Sequence, residues 1–414
     1  MHGLSLIVAR VFLPFALGYF LSYGYRTVNA VLGPVLARDL GIDAAGIGLL
    51  TGAYFLAFAA VQVPLGMALD RFGPRRTQTV LLAVAALGAL LFSMGDGTVS
   101  LALARAIIGA GVSGCLLASF KAFALWLPKE RLPLVNGCLL AAGGLGVAAA
   151  ATPVQLALDV MTWRELFMVL AAITLAVAAI IFTAVPERRA EGEPRGLADQ
   201  FRGLGQILGS KVFWGTAPLV MTVQSAWMSI QALWFGAWLH DVPRLDDQGA
   251  ADALSMGGIG MVVGYASMGA LAERLGRRGV PTAAVAGFGT GTFIVIQALI
   301  ALGAPVPPWL LCFLFGFFGG SATLFYAALT QIFPVALAGR VNTSLALFTF
   351  AGAFLLQFGF GAVLDRFPIE GGGYAPLGYL VAFGSWVLVQ AAAFVWLVVA
   401  GRRKAGGALR GGNT

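Results

Sequence analysis

The sequence predicts an all-α polytopic membrane protein with about twelve transmembrane helices in two pseudo-symmetric six-helix bundles. Of the 414 residues, 59% are hydrophobic and only 11% are charged, whereas soluble domains carry about 25% charged residues. Apolar runs of about 18 residues or more, long enough to cross ~30 Å of hydrocarbon, recur from end to end. Finally, motifs of the first half recur in the second half.

The apolar runs define the spans in chain order. Span 1 follows MHGLSLIVAR without a small-residue cleavage site, so we predict a membrane helix and not a removable signal peptide. The predicted spans are 11–36, 46–69, 78–95, 98–126, 134–158, 164–185, 212–239, 252–272, 281–303, 308–333, 342–364 and 376–400.

One long polar stretch, PERRAEGEPRGLADQFRGLGQ, separates spans 6 and 7. Its content of charge, Gly and Pro predicts a cytoplasmic linker, with a short surface helix at 197–208. The predicted organisation is therefore an N-terminal six-helix bundle over 1–185 and a linker over 186–211. A C-terminal bundle with a short cytoplasmic tail follows over 212–414.

The distribution of basic residues predicts the orientation. A net charge of +8 would by itself permit nucleic-acid binding. If the N-terminus is cytoplasmic, nineteen of the 26 Lys and Arg residues fall on the cytoplasmic side, and three lie within spans. The other four lie on the outer side: Arg38, Arg164, Arg244 and Arg366. This is the positive-inside bias of membrane proteins. We therefore expect a bacterial inner-membrane protein with both termini in the cytoplasm, and no nucleic-acid partner.

The second half of the chain repeats motifs of the first. GMALDRFGPRR at 66–76 recurs as GALAERLGRRG at 269–279, an offset of 203 residues. Asp159 after span 5 recurs as Asp365 after span 11, an offset of 206. A duplicated six-helix unit places a solute cavity between the units near mid-membrane, where rocking of one unit against the other exposes it to alternate sides.

These motifs resemble those of the major facilitator superfamily, over essentially the whole chain. The family signature between spans 2 and 3 is G-x-x-x-D-R-x-G-R-R followed by a basic residue. Here Pro74 replaces one basic residue of the first copy, and Glu273 replaces Asp in the second. The matching residues are Gly66, Asp70, Arg71, Gly73, Arg75 and Arg76, and then Gly269, Arg274, Gly276, Arg277 and Arg278. The resemblance implies a secondary transporter that works by rocker-switch alternating access.

The loop signature predicts a conformational latch. A carboxylate at a helix end can pair with nearby guanidinium groups or with the positive N-terminus of a neighbouring helix. The resemblance implies that Asp70 rests on the start of span 11, near Val341 and Asn342, and holds the cytoplasmic side shut. The alternative is that these charges only anchor the topology. Asp70 favours the latch, because an aspartate contributes nothing to the positive-inside bias.

Span 1 carries the strongest candidate for solute binding. Arg26 lies sixteen residues beyond Arg10, about 24 Å of helix, and therefore near mid-membrane. A charge there costs roughly 2.5 to 3.5 kcal/mol, so the guanidinium should face a watery cavity or a partner. The residues on the same helix face are Tyr19, Ser22, Tyr23, Asn29 and Gly33. The alternative is that another helix neutralises Arg26 and the residue only holds the bundle together.

The spans hold no acidic partner for Arg26, since Asp and Glu occur only at predicted span ends or in loops. A transported anion is therefore a candidate counter-charge. In this respect the chain resembles the organic-anion branches of the superfamily, including organophosphate exchangers and sugar-acid importers, which carry an arginine at this point of span 1. Those exchangers carry a second arginine in span 7 that this chain lacks, which favours a monocarboxylate or a mixed polar solute over phosphate.

Other polar side chains within the spans are further candidates. Lys121 is predicted either to meet the anion on its inward path or to extend its ammonium to the lipid headgroups. Arg105, on another face of span 4, is predicted to act in packing and gating. Amide, indole and hydroxyl groups at helical spacing on spans 7 and 10 can either orient a carboxylate or pack: Gln224, Trp227, Gln231, Trp234, Tyr326 and Thr330. The cavity is favoured for the two amides.

Three functions remain open. The first is transport of a small organic anion, anchored by Arg26. The second is efflux of drugs or metabolites with neutral or amphipathic cargo, although the antiporter signature of span 5 is replaced by ATPVQL at 151–156. The third is a non-transporting membrane receptor that has kept the fold.

No enzyme chemistry is predicted. His2 and His240 fit neither a catalytic triad nor a metal cluster, and the phosphate-binding pattern G-x-x-x-x-G-K-[ST] does not occur. We therefore expect no cofactor and no metal. The expected partners are the lipid bilayer and a small solute, with coupling to protons or sodium possible in principle, and the expected oligomeric state is a monomer.

Overall fold

The computed structural model describes residues 7–128, 131–188, 205–325, 329, 333, 337–370 and 373–410. Nine helices within these ranges are long and apolar enough to cross a membrane. One of them, Ala44–Ser93, contains two predicted spans, and spans 1 and 7 are each divided into shorter helices. The structure is therefore consistent with the twelve predicted spans.

The first six spans form an antiparallel bundle. Spans 2 and 3 join within one helical run at Gly73, whose φ of 79° lies in the region that favours glycine. A π-helical turn, Val8–Phe12, precedes span 1. The helices are Leu13–Thr27 and Asn29–Leu40 (span 1), Ala44–Ser93 (spans 2 and 3), Thr98–Val112 and Cys115–Trp126 (span 4), Leu132–Ala149 and Thr152–Leu158 (span 5), and Trp163–Ala184 (span 6).

The second six spans follow the same order. A two-stranded antiparallel hairpin, Ile369–Glu370 with Gly373–Tyr374, connects spans 11 and 12. The helices are Lys211–Ser229, the π-helical turn Ile230–Trp234 and Phe235–Asp241 (span 7), Asp247–Gly276 (span 8), Thr282–Ala301 (span 9), Pro308–Gly319 with the 3-10 turn Gly320–Ala322 (span 10), Ala338–Leu364 (span 11) and Pro376–Arg410 (span 12). Of the predicted surface helix, residues 205–208 are helical and 197–204 lie outside the described residues.

Short polar side chains cap several helices at one end of the bundle, here called the distal end, where the even-numbered spans begin. Asp43 before span 2 and Asp246 before span 8 each accept a hydrogen bond from the backbone N–H three residues on. Thr162 before span 6 forms a capping box with Glu165. These side chains satisfy N–H groups that a helix leaves unpaired in its first turn.

Among the described residues, the two halves meet mainly along three pairs of helices, which we call the seams: span 2 with span 11, span 5 with span 8, and span 1 with span 7. Glycines allow the close approach. A Cβ on Gly48, Gly258 or Gly236 would overlap backbone atoms of Gln357, Ala148 or Ala30 in the opposite half. All three seams lie between mid-span and the distal end, so the distal end is closed in this state.

Candidate solute-binding site

The guanidinium of Arg26 is buried where the two halves meet. Its Cζ lies 4.3 Å from the ring centroid of Tyr23, 5.6 Å from that of Phe58 in span 2 and 5.8 Å from that of Phe350 in span 11. The residue is 4% exposed, and within the described chain its Nε has no hydrogen-bond acceptor. The polar groups around it are phenols, and no ion pair of Arg26 occurs among the described residues.

Arg105 supports the backbone close to Arg26. Span 1 is interrupted at Val28, and the carbonyl of Tyr25 near this break accepts a hydrogen bond of 2.8 Å from Nη1 of Arg105. Arg105 is fully buried, and its Cζ lies 5.2 Å from the ring centroid of Tyr54. The residue therefore packs against spans 1 and 2 of its own half.

The predicted polar face of span 1 is divided between two environments. Tyr19 and Tyr23 lie side by side, with ring centroids 5.1 Å apart, and both border Gly143 of span 5. Asn29, in contrast, donates from Nδ2 to Oγ1 of Thr51 in span 2 at 2.9 Å. The face is about 120° wide at ~100° per residue, so its edges meet different neighbours. Asn29 consequently connects span 1 to its own half, whereas Tyr19 and Tyr23 stay near Arg26.

The amides of span 7, Gln224 and Gln231, are both buried. Gln231 lies in the π-helical turn, a feature that is frequent at functional sites. It lines a void of about 10 Å³ together with Thr27 and Ala30 of span 1. Oε1 of Gln224 has no hydrogen-bond partner in the described chain. Gln231 thus faces the N-terminal half, and Oε1 of Gln224 can accept a further hydrogen bond.

The indoles of span 7 pack tightly. Trp227 lies against Gly319 of span 10, with its ring centroid 6.4 Å from that of Tyr265. The ring centroid of Trp234 lies 5.9 Å from that of Phe360 in span 11. Both tryptophans are about 1% exposed. Neither indole Nε1 has a hydrogen-bond partner in the described chain, so solute contact and packing both stay predictions for these two residues.

Lys121 has a partner that its position in the sequence does not predict. The end of the bundle opposite the distal end, where the odd-numbered spans begin, is here called the terminal end. There Nζ of Lys121 lies 2.5 Å from Oδ1 of Asp70 and 2.8 Å from the carbonyl oxygen of Leu69. The carbonyls at the end of span 2 and the carboxylate of Asp70 attract the ammonium group. Lys121 lies about two helical turns from the end of span 4, so its long side chain can reach them. In this state Asp70 is therefore engaged inside its own half, and a contact of Lys121 with an anion or with headgroups stays a prediction.

The arginines of the first loop motif bind a carboxylate that follows span 6. Nε and Nη2 of Arg76 lie 2.9 Å from the two carboxylate oxygens of Glu187, and Arg75 lies 3.9 Å away. Arg71 lies over the ring of Phe72, 5.3 Å from its centroid. In this state the motif thus holds the loop between spans 2 and 3 to span 6.

The second loop motif forms a local contact. Glu273 and Arg277, one helical turn apart, lie 2.5 Å from each other with side chains 68% and 74% exposed. Exposed pairs of this kind contribute little to stability. A latch role for Glu273, Arg274, Arg277 and Arg278 stays a prediction.

At the distal end a carboxylate of the C-terminal half caps a helix of the N-terminal half. Asp365, directly after span 11, accepts hydrogen bonds from the N–H groups of Ala44 and Ala45 at 3.1 and 2.8 Å. Asp43 binds a third N–H of the same turn at 2.8 Å. In the sequence Asp365 is evident only as the repeat of Asp159, because its partner is distant in the chain.

The seam between spans 5 and 8 is also hydrogen-bonded. The backbone N–H of Thr152 donates to Oγ of Ser255 at 3.2 Å, and the hydroxyl of Thr152 donates to Oδ1 of Asp252 at 2.7 Å. Oγ1 of Thr152 and Oγ of Ser255 lie 2.8 Å apart. These contacts occupy the stretch 151–156, where the antiporter signature is replaced.

A cavity of about 630 Å³, which we call the distal funnel, opens between the halves outside these contacts. Its lining includes Arg38, Asp43, Ala44, Ile47, Trp234, His240, Asp241, Leu364, Asp365 and Tyr374. The contact between Asp365 and span 2 therefore lies on a polar wall. Tyr326 and Thr330, the candidates of span 10, lie outside the described residues.

The fold is that of a two-bundle membrane transporter. The model of the Major Facilitator Superfamily matches residues 15–357. The chain therefore belongs to that superfamily. A solved structure, that of a bacterial homolog of the human lysosomal transporter Spinster in an inward-facing, unoccupied conformation, is similar in fold with a TM-score of 0.68, 19% identity and 95% of each chain covered.

Curated relatives include transporters of organic anions. A probable sulfoacetate transporter, SauU, of Cupriavidus necator is 27% identical over 38% of this chain and 36% of its own length. The hexuronate transporter of Escherichia coli strain K12 is 25% identical over 54% of each protein. A chloramphenicol resistance protein of Streptomyces lividans is 28% identical over 59% of this chain and 69% of its own length. The matches thus span between about a third and a half of the first two relatives.

Proposed function

We propose that this protein is a secondary active transporter of a small organic anion, such as a carboxylate, and that Arg26 binds the anionic group. The observation that carries the proposal is a guanidinium buried between the halves with aromatic rings and no carboxylate around it among the described residues. A buried charge of this kind is stabilised by a counter-charge, which the cargo can supply. The sulfoacetate and hexuronate transporters among the relatives act on organic anions, which supports the same assignment.

We infer that both halves contact the cargo. Phe58 and Phe350, from opposite halves, stack at 4.1 Å beside Arg26, so an anion that reaches the guanidinium displaces these rings. A carboxylate can accept two parallel hydrogen bonds from the guanidinium. The phenols of Tyr19 and Tyr23 and the free Oε1 of Gln224 are then available to the rest of the cargo. Contacts from both halves couple binding to the rocking motion.

Ligand-induced stabilisation of the purified protein tests this proposal. We expect organic acids, added at about 100 times their dissociation constant, to stabilise the wild type by about 2.7 kcal/mol. The variant Arg26→Gln loses this stabilisation because it lacks the guanidinium that binds the anionic group. The control Arg164→Gln removes an arginine that pairs with the exposed Asp96 at 2.9 Å, and it keeps the response.

Two results would contradict the proposal. If organic acids stabilise Arg26→Gln as much as the wild type, the guanidinium does not bind them. If neutral or amphipathic compounds alone stabilise both proteins, efflux of such cargo replaces anion transport, in line with the chloramphenicol resistance protein among the relatives. Uptake of a radiolabelled acid into proteoliposomes under imposed proton or sodium gradients then identifies the driving ion.

A further inference from the structure

The contact between Asp365 and span 2 closes the distal end with a charge placed on a helix N-terminus. Both carboxylate oxygens of Asp365 accept backbone N–H groups of the first turn of span 2. The positive end of the helix dipole adds to these two bonds. The donor helix and the acceptor belong to opposite halves, so this contact breaks whenever the distal end opens.

The same two helices carry a second carboxylate at the opposite end. Asp70 lies near the terminal end of span 2, and the loop resemblance assigns it to the start of span 11. In the present state Asp70 is paired with Lys121 of span 4. Span 11 thus ends in an aspartate that caps span 2 in this state, and span 2 ends in an aspartate that Lys121 binds.

We propose that Asp365 is the distal latch of this transporter, and that Lys121 holds Asp70 while the distal latch is closed. When the distal end opens, Asp365 leaves span 2 and Asp70 is released from Lys121. This inference does not depend on the identity of the cargo.

Spin-label distances across the distal end test the proposal in the full chain. Val99→Cys and Ile369→Cys place labels on exposed positions of opposite halves, 73% and 75% exposed, after the three native cysteines are replaced. We expect Asp365→Asn to raise the ratio of distal-open to distal-closed molecules about three- to tenfold, because it removes the charge on the helix N-terminus.

Ala44→Pro removes one donor from the other side of the contact. Ala44 is the first helical residue, where proline is tolerated, and Asp43 before it is already extended with ψ of 172°. We expect a similar rise in the distal-open fraction. Because the two variants change opposite halves, a common shift cannot come from local misfolding of one of them.

Lys121→Gln frees Asp70 and should raise the distal-open fraction as well, by about two- to fivefold for a partly exposed pair. The control Asp96→Asn removes an exposed carboxylate whose partner, Arg164, lies in the same half, and should leave the distances unchanged. If Asp365→Asn and Ala44→Pro leave the distance distribution as in the wild type, the distal latch is refuted. If only Lys121→Gln is silent, the role of Lys121 is refuted and the latch stands.

Discussion

Among the described residues of the N-terminal half two arginines are buried, and their surroundings give them different tasks. Arg105 donates to the carbonyl of Tyr25, so part of its hydrogen-bonding capacity is satisfied by the fold. Arg26 pairs with the phenol of Tyr54, is surrounded by aromatic rings and lies beside Phe350 of the other half. A guanidinium bound to the backbone of its own half is a structural support. A guanidinium with rings around it at a moving interface remains able to bind an incoming anion.

Asp241 provides a residue-scale prediction on pH. It lies just beyond the predicted end of span 7 and accepts hydrogen bonds from the hydroxyl of Tyr379 at 2.6 Å and the N–H of Tyr374 at 3.1 Å. Burial nevertheless raises the pKa of this carboxyl above its ordinary value. The folded state therefore binds the proton more tightly than the unfolded chain, so this group lowers stability as the pH rises through the ordinary and then the folded pKa.

The variant Asp241→Asn stays neutral and can keep both accepted bonds. We expect its melting temperature to exceed that of the wild type at neutral pH and to approach the wild-type value as the pH falls below about 4, the ordinary pKa of Asp. Thermal denaturation from pH 4 to 8 in detergent measures this. A wild-type stability that rises with pH relative to Asp241→Asn would show that the accepted hydrogen bonds outweigh burial.

Local periodicity predicted the positions of side chains on single helices but not their partners. The depth of Arg26 follows from counting residues along span 1, because helix geometry is the same everywhere. The pairing of Lys121 with Asp70 requires the distance between spans 2 and 4, which periodicity does not contain. Likewise, Phe58 and Phe350 belong to apolar runs in which many phenylalanines are equivalent until the packing is known.

At the scale of elements, glycines on the seams decide how closely the halves approach. A Cβ on Gly48 of span 2 would overlap the backbone carbonyl of Gln357 in span 11. We expect Gly48→Ala to cost the distal-closed state about 1 to 3 kcal/mol through overpacking, and to leave the distal-open state unaffected. A cysteine at Leu364, which is buried on the wall of the distal funnel, should then react faster with a membrane-impermeant maleimide.

Gly359→Ala is the matched control on span 11, because nothing lies within 4 Å of a Cβ at that position. Its labelling rate should equal that of the unmodified background. Equal rates for Gly48→Ala and Gly359→Ala would mean that the seam tolerates the methyl group. The backbone of Gln357 would then have room to move.

The breaks in spans 1 and 7 mark the limit of hydropathy as a predictor of elements. Both segments are apolar enough on average that the sequence predicted one continuous helix for each. Span 1 is interrupted at Val28, where Arg105 of span 4 binds the nearby carbonyl of Tyr25. Span 7 contains a π-helical turn that carries Gln231. Such irregular turns depend on contacts between helices and leave the overall hydrophobicity unchanged.

At the scale of the whole molecule, duplication allowed the architecture to be predicted from the sequence. Repeated motifs half a chain apart predicted two similar bundles, and the match to the superfamily confirms this fold. The repeat did not predict equal contacts in the two copies. Asp365 caps a helix of the opposite half, whereas its counterpart Asp159 lies on the wall of another surface cavity, near Thr162 and Arg164. Sequence change after duplication has therefore made the two seams chemically different.

At the seam between spans 5 and 8 two hydroxyl groups meet, and this makes the seam suitable for testing whether the distal end opens during transport. The hydroxyl oxygens of Thr152 and Ser255 lie 2.8 Å apart, so the two side chains meet across the seam and cysteines at both positions can be tested for a disulfide. In a chain without the three native cysteines, we expect oxidation to join spans 5 and 8 and to reduce uptake into proteoliposomes at least tenfold. Reduction should restore uptake, while the single variants Thr152→Cys and Ser255→Cys should not respond to oxidant.

Cargo added from the terminal side should still stabilise the oxidised protein, because the disulfide leaves that side free to open. Undiminished uptake by fully oxidised protein would mean that cargo crosses while this seam stays closed, and alternating access by rocking of the halves would not apply to this protein.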